Sequence, residues 1–173
     1  EPEARVPTPG RYGQERDDLW EADPAFDLSL PYYGFEKVAL SINHADTQFG
    51  HYRRWLRAQR ADADGLLGAE NAIPTPEYEL SRCQQAWRTR CPEELYPTAW
   101  VTQEAIGLMR SFHAEGRPFF IQCSYPDPHH PFTPPGRYWD EYRPDDMDLP
   151  ASFHGKHHAK SPHLQWMYAQ RDA

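Results

Sequence analysis

Pro118-Phe-Phe-Ile-Gln-Cys-Ser-Tyr-Pro-Asp-Pro-His-His-Pro-Phe-Thr-Pro-Pro135 places two proline-braced histidines directly after a short apolar run. Phe119, Phe120 and Ile121 are bounded by Gly116 and by prolines, and a run of that length predicts a buried strand over 118–124, in a mainly parallel sheet. In open α/β sheets ligands collect outside the carboxyl ends of the strands, where Asp127, His129 and His130 would lie. Prolines at 126, 128, 131, 134 and 135 fix φ and push the residues before them toward extended backbone, so the loop loses little entropy on ordering. A stiff loop suits a catalytic histidine. The same composition also describes a surface turn with solvated imidazoles, and spacing alone leaves both readings open.

The helix before this run is well marked. Thr98 is a candidate N-cap, Val101, Ala105, Leu108 and Phe112 recur on one face, and Gly116 supplies the stop. Helix then strand, over 98–124, fits one αβ unit of a layered α/β sandwich. A second pair is predicted over 32–60. Lys37-Val-Ala-Leu-Ser-Ile42 reads as a strand, with Asp46 or Thr47 capping a helix that buries Phe49, Tyr52 and Leu56. Arg53, Arg54, Arg57 and Arg60 then fall on its solvent side; four arginines can grip an anion, but a solvated helix face is the commoner outcome. Residues 61–97 read as a proline-punctuated connector with one short helix over 76–87, and residues 1–31 as an irregular excursion. Asp17 and Asp18 within it are read as solvated rather than as calcium ligands, which require several converging oxygens.

The sequence from Ser124 to Pro135, with Tyr138-Trp139 and Asp145-Asp-Met-Asp-Leu-Pro150 behind it, resembles the middle of the catalytic domain of the sulfatase family, within the alkaline-phosphatase-like superfamily. Tyr32-Tyr-Gly-Phe-Glu-Lys-Val38, His44-Ala-Asp46 and Tyr52-Arg-Arg-Trp-Leu56 resemble the segment those enzymes carry upstream. The resemblance implies a partial alkaline-phosphatase-like α/β/α sandwich. It also implies that the 173 residues are an internal fragment of one catalytic domain, with 125–161 as its Pro/His loop and 162–173 as a truncated helix. Sulfatases use a formylglycine made from the first residue of Cys/Ser-x-Pro-x-Arg, together with a divalent cation, usually Ca²⁺. Neither Cys91-Pro-Glu-Glu-Leu95 nor Cys123-Ser-Tyr-Pro-Asp127 has that pattern, and Cys83 does not begin it either. The family's metal aspartates and its Asp-Asn or Asp-His metal motif are also missing. This chain alone is therefore expected to bind no cofactor and to be inactive.

One functional residue carries over. In the family's loop the histidine of the Pro-His-x-Pro pattern binds a sulfate oxygen and can protonate the leaving alkoxide, and it matches His129. An alcohol leaving group of high pKa departs faster when a positioned acid donates to it. His130 holds the variable position and is expected to face solvent or pack on the loop, while Asp127 is placed either to orient an imidazole or to end the strand. His44 has only structural hydrogen bonding as an expected role.

The implied activity is hydrolysis of a small-molecule sulfate ester. A phosphonate monoester hydrolase or phosphodiesterase of the same superfamily shares this loop, because tetrahedral oxyanions of similar size ask for similar donors. A different class also remains: a non-catalytic protein that keeps an anion pocket, or binds metal through His154, His157, His158 and His163 near Lys156 and Lys160. Those four are read instead as a solvated loop.

Bulk composition adds exclusions. A net charge of −8 argues against nucleic acid as a partner, and no apolar stretch is long enough to cross a bilayer. Localisation and oligomeric state are left open. Three cysteines without Cys-x-x-Cys spacing indicate no zinc ribbon and no disulfide framework. A Cys83 to Cys91 bridge is the one pairing that spacing suggests, and Cys123 is expected to be a small buried hydrophobe.

Overall fold

Tyr52 and Leu56, one helical turn apart, are both completely buried on the inner side of a helix spanning His51–Gln59 (α2). The helix starts at Gly50 rather than after Asp46 or Thr47. Gly50 has φ +86°, and a Cβ there would come 2.9 Å from the Leu40 carbonyl oxygen, so only glycine lets the chain turn into α2 at this point. Phe49 therefore falls outside the helix. Phe49–Gly50 (β2) pairs antiparallel with Ser41–Ile42 (β1), and the rest of the strand expected over 37–42 is a bend at Lys37 and irregular backbone that joins no strand among the described residues.

In the computed structural model, residues 13–76, 85–152 and 161–171 are described. They fall into two units divided between Glu141 and Tyr142. The first opens with a short helix, Asp17–Ala22 (α1), whose first-turn carboxylates suit the positive end of its dipole. Asp18 pairs with Arg16, and the buried Trp20 donates its indole N–H to the Gln14 carbonyl at 2.8 Å. The connector is made of single 3₁₀ turns at Ala63–Leu66, Ala69–Asn71 and Glu93–Leu95. Most of the short helix expected over 76–87 lies outside the described residues. Ala86, within it, instead forms an isolated parallel bridge with Phe132.

The long helix spans Pro97–Ala114 (α3). Its N-cap is Tyr96, with Pro97 at the first position where its missing N–H costs nothing. Thr98 does not cap it. The predicted stop holds: Gly116, at φ +65°, follows the last turn. α3 and α2 share a core of Tyr52, Leu56, Ala63, Leu67, Cys91, Tyr96 and Trp100. Burying each larger side chain of this cluster is worth about 1.5–3 kcal/mol. Within it the Tyr52 hydroxyl donates to the Leu95 carbonyl at 3.0 Å, leaving no unpaired polar atom at the end of that ring.

The fold is mixed α and β, with β1 and β2 as the only sheet among the described residues. No parallel sheet is present there. The run over 118–124 has no regular secondary structure, and among the described residues no backbone hydrogen bond pairs it with another strand. Phe119 and Phe120 are 47% and 78% exposed, and Cys123 is exposed rather than buried. The physical reason is the lack of a partner: a strand buries its faces only when neighbours on both edges and a second layer cover it. Across from it, residues 37–41 and the half-buried face of α3 complete an open apolar trough of about 850 Å³, lined by Val38, Leu40, Val101, Leu108, Phe112 and Ile121.

The second unit contains a 3₁₀ turn at Pro144–Asp146 and a helix, Pro162–Arg171 (α4), which lies within the stretch 162–173 expected as a truncated helix. His163 stacks on Trp166 within α4. Cys83, His154, His157 and His158 lie outside the described residues.

Candidate functional site

The site grows from two braced loops. The first is the turn between β1 and β2, where Asn43 and Ala45 both take positive φ, +85° and +55°. Such backbone is costly for residues other than glycine and persists only where surroundings over-determine it. Here they do. The Asp46 carboxylate, fully buried, accepts hydrogen bonds from the Gly68 N–H, the Trp87 indole N–H and the Thr89 hydroxyl. Burial pushes the Asp46 carboxyl above its ordinary range, against the pull of Thr89, Trp87 and Gly68. On the next residues, Thr47 donates its hydroxyl and its N–H to the His44 carbonyl, and the Gln48 amide donates to the Ala45 carbonyl at 2.9 Å. Arg53 donates to the carbonyls of Thr47 and Gln48. The turn is locked, and His44 projects from it, exposed.

The second loop, 125–135, is tied down at three points. Thr133 is buried, with its hydroxyl 2.8 Å from that of Tyr96. Phe132 and residues 85–87 exchange backbone bonds of 2.8 and 3.2 Å. The Asp127 carboxylate accepts a hydrogen bond from the Thr98 hydroxyl and a long one, 3.5 Å, from Tyr96. Asp127 thus clamps the loop to the start of α3; its hydrogen bonds go to hydroxyls and none goes to an imidazole.

Between those anchors the loop presents His129 and His130, both exposed. The His129 N–H donates to the Pro126 carbonyl at 3.0 Å, and its Nδ1 lies 2.5 Å from the His130 carbonyl oxygen. A carbonyl only accepts, so Nδ1 carries the proton in that bond and Nε2 is the ring nitrogen left over for another partner. Nε2 of such a ring can accept a proton and, once the ring is an imidazolium, donate it to an anionic oxygen. The His129 ring stacks on that of His44, with centroids 4.0 Å apart and planes 10° from parallel, and the His130 ring lies 4.2 Å from it on a tilt.

The arginines of α2 are structural. Arg54 packs over Trp20 and donates to the Phe26 carbonyl, Arg57 pairs with Glu21 and Asp64, and Arg60 pairs with Asp62. Among the described residues no three His, Cys, Asp or Glu side chains converge as a metal site. The trough beside 118–124 does not include His129 in its lining. Among the described residues no helix is long and apolar enough to cross a membrane.

The geometry is thus a braced imidazole, His129, stacked beside a second one, His44, and the comparisons with known proteins support a relationship to the sulfatase family. Over 117 residues the chain is 40% identical to a protein named arylsulfatase from Clostridium perfringens, a match covering 66% of this chain and 21% of that protein. The chain thus spans about a fifth of the length of that relative. No family model and no solved structure matches.

Sequence reasoning placed His129, His130 and Asp127 in one loop but gave His44 no part in the site. The signal available was weak: a histidine inside Ser41-Ile-Asn-His-Ala-Asp46, without periodicity to say which way it points.

Proposed function

We propose that this chain is part of a sulfuric ester hydrolase and that it supplies one wall of the sulfate pocket. The observation that carries the reading is the 40% identity with an arylsulfatase. The geometry of His129 supports it: Nδ1 is held by a backbone carbonyl and Nε2 is free to meet an anion. In this reading His129 acts as an imidazolium, with Nδ1–H held by the His130 carbonyl; its Nε2–H binds an oxygen of the sulfate ester and passes its proton to the leaving oxygen as the S–O bond breaks, leaving the neutral ring with its proton on Nδ1. A positioned acid of this kind contributes about 10²–10⁴-fold. His130 lines the rim, and Asp127 fixes the loop.

Formylglycine and a divalent cation such as Ca²⁺ belong to the full-length enzyme in this proposal. The residues present do not fit either group. No cysteine here begins Cys/Ser-x-Pro-x-Arg, and the described residues hold no converging ligand set, so no step of the chemistry is assigned to this stretch through them. The whole chain is read as a fragment of one catalytic domain, a partial α/β/α sandwich with a mainly parallel sheet. The backbone over 118–124, unpaired among the described residues, is what such a sheet would take up.

The full-length protein, assayed on 4-nitrophenyl sulfate and on bis(4-nitrophenyl) phosphate, tests the reading. Faster turnover of the sulfate supports it. Equal or faster phosphodiester cleavage transfers the site to the phosphonate monoester hydrolase and phosphodiesterase branch, and turnover of neither leaves a binding protein.

A further inference from the structure

We propose that His44 is the positioning residue for His129, acting through the stacked contact between their rings. The inference rests on the reading of His129 as the sulfate-binding imidazole. Two coordinates fix an imidazole: the direction in its plane and the tilt of that plane. The Nδ1 contact with the His130 carbonyl sets the first, and the His44 face, 4.0 Å away and 10° from parallel, sets the second. His130, adjacent in the chain and tilted by 35°, offers no parallel face of its own.

The contact is built rather than incidental. His44 comes from a turn whose two flanking residues hold left-handed backbone, each at a cost of about 1–3 kcal/mol. That cost is met by the buried Asp46, by Thr47 bonded to the His44 carbonyl, and by Gln48 bonded to the Ala45 carbonyl. His129 comes from a loop anchored independently by Asp127 and Thr133. Two rigid supports therefore meet at one ring pair. With one face of His129 covered, Nε2 is confined to a narrow arc. A displacement of about 1 Å at such an atom can lower a rate on the order of 10²-fold.

The experiment uses the full-length protein as wild type, His44→Ala and His44→Phe. Three quantities are compared: kcat and KM on 4-nitrophenyl sulfate, the thermal midpoint, and the ring-proton resonances of His129 with and without inorganic sulfate. His44→Ala is expected to lower kcat by about 10–100-fold, with little change in KM or thermal midpoint. Its His129 ring protons should move downfield as the shielding ring is lost. His44→Phe, which keeps a flat face, should restore kcat to within about threefold of wild type. Wild-type kcat in His44→Ala overturns the inference and leaves the reading of His129 intact; so does a His44→Phe as slow as His44→Ala. If the wild type hydrolyses no sulfate ester, the sulfate arm decides. A His129 shift on adding sulfate in wild type and His44→Phe, but not in His44→Ala, supports the positioning role without hydrolysis. No shift in wild type removes both.

Discussion

Residues 43–48 and residues 118–124 are both short connecting stretches, yet one is closed by hydrogen bonds and the other, stacked on Phe112 and Phe35 through Phe119 and Phe120, has no backbone pairing among the described residues. In the first, a single buried carboxylate gathers donors from Gly68, Trp87 and Thr89, far along the chain, and the strained backbone at Asn43 and Ala45 is sustained by them. In the second, seven residues rich in aromatic and apolar side chains carry no ladder among the described residues, and Phe120 stands 78% exposed. The lesson is one of self-sufficiency. Polar groups with fixed partners close a region from within, whereas an apolar strand depends on neighbours that the described residues do not provide.

The sharpest way to break this contrast is to remove the carboxylate. Asp46→Ala leaves three donors without their acceptor, each worth about 1–3 kcal/mol, so a loss on the order of 5 kcal/mol is expected in urea unfolding of the full-length protein. A loss below about 1 kcal/mol would mean the turn is held by something else. Leu56→Ala, in the core shared by α2 and α3, should cost about 2–5 kcal/mol, while Phe120→Ser in the 173-residue chain should change stability by no more than about 0.5 kcal/mol. Equal effects at the two positions would show 118–124 to be packed after all. Thr98→Val removes the donor to Asp127, a bond to a charged group worth about 1.5–3 kcal/mol; the loop should loosen, and proteolysis within 125–135 should quicken while α3 stays folded.

The smallest effect sharpens the comparison chemically. Burial pushes the Cys91 thiol from 9.0 to about 12. Because the folded value is raised, its contribution to stability is fully present below about pH 9 and is lost as pH rises toward about 12. At pH 8 Cys91 should resist alkylation in the folded chain, and Cys123, exposed, should react; peptide-resolved mass spectrometry reads both. In the full-length protein of the proposed sandwich, Cys123 should slow as well.

What was legible in the sequence was local. The inward pair Tyr52 and Leu56, the apolar face of α3 and its glycine stop follow from periodicity and from backbone freedom at one residue. The helix starts were misplaced for a tertiary reason. Asp46 and Thr98 have the right chemistry for caps, but each spends its side chain on a distant partner, Asp46 on Trp87 and Thr89, Thr98 on Asp127. Gly50 and Pro97 then set the boundaries by sterics. The run over 118–124 has strand chemistry, and only pairing, a non-local property, is absent among the described residues. For the site, the motif gave His129 through family resemblance, whereas the His44 contact joins two loops that no short-range pattern connects.

The most direct measurement is the leaving-group dependence of His129→Ala in the full-length protein, comparing an alkyl sulfate with 4-nitrophenyl sulfate. As a proton donor to the leaving oxygen, His129 matters most where that oxygen is most basic. A loss of about 10²–10⁴-fold on the alkyl ester and a much smaller one on the nitrophenyl ester is predicted. Equal losses would make His129 a binding group only, and wild-type rates on both would contradict its place in the site.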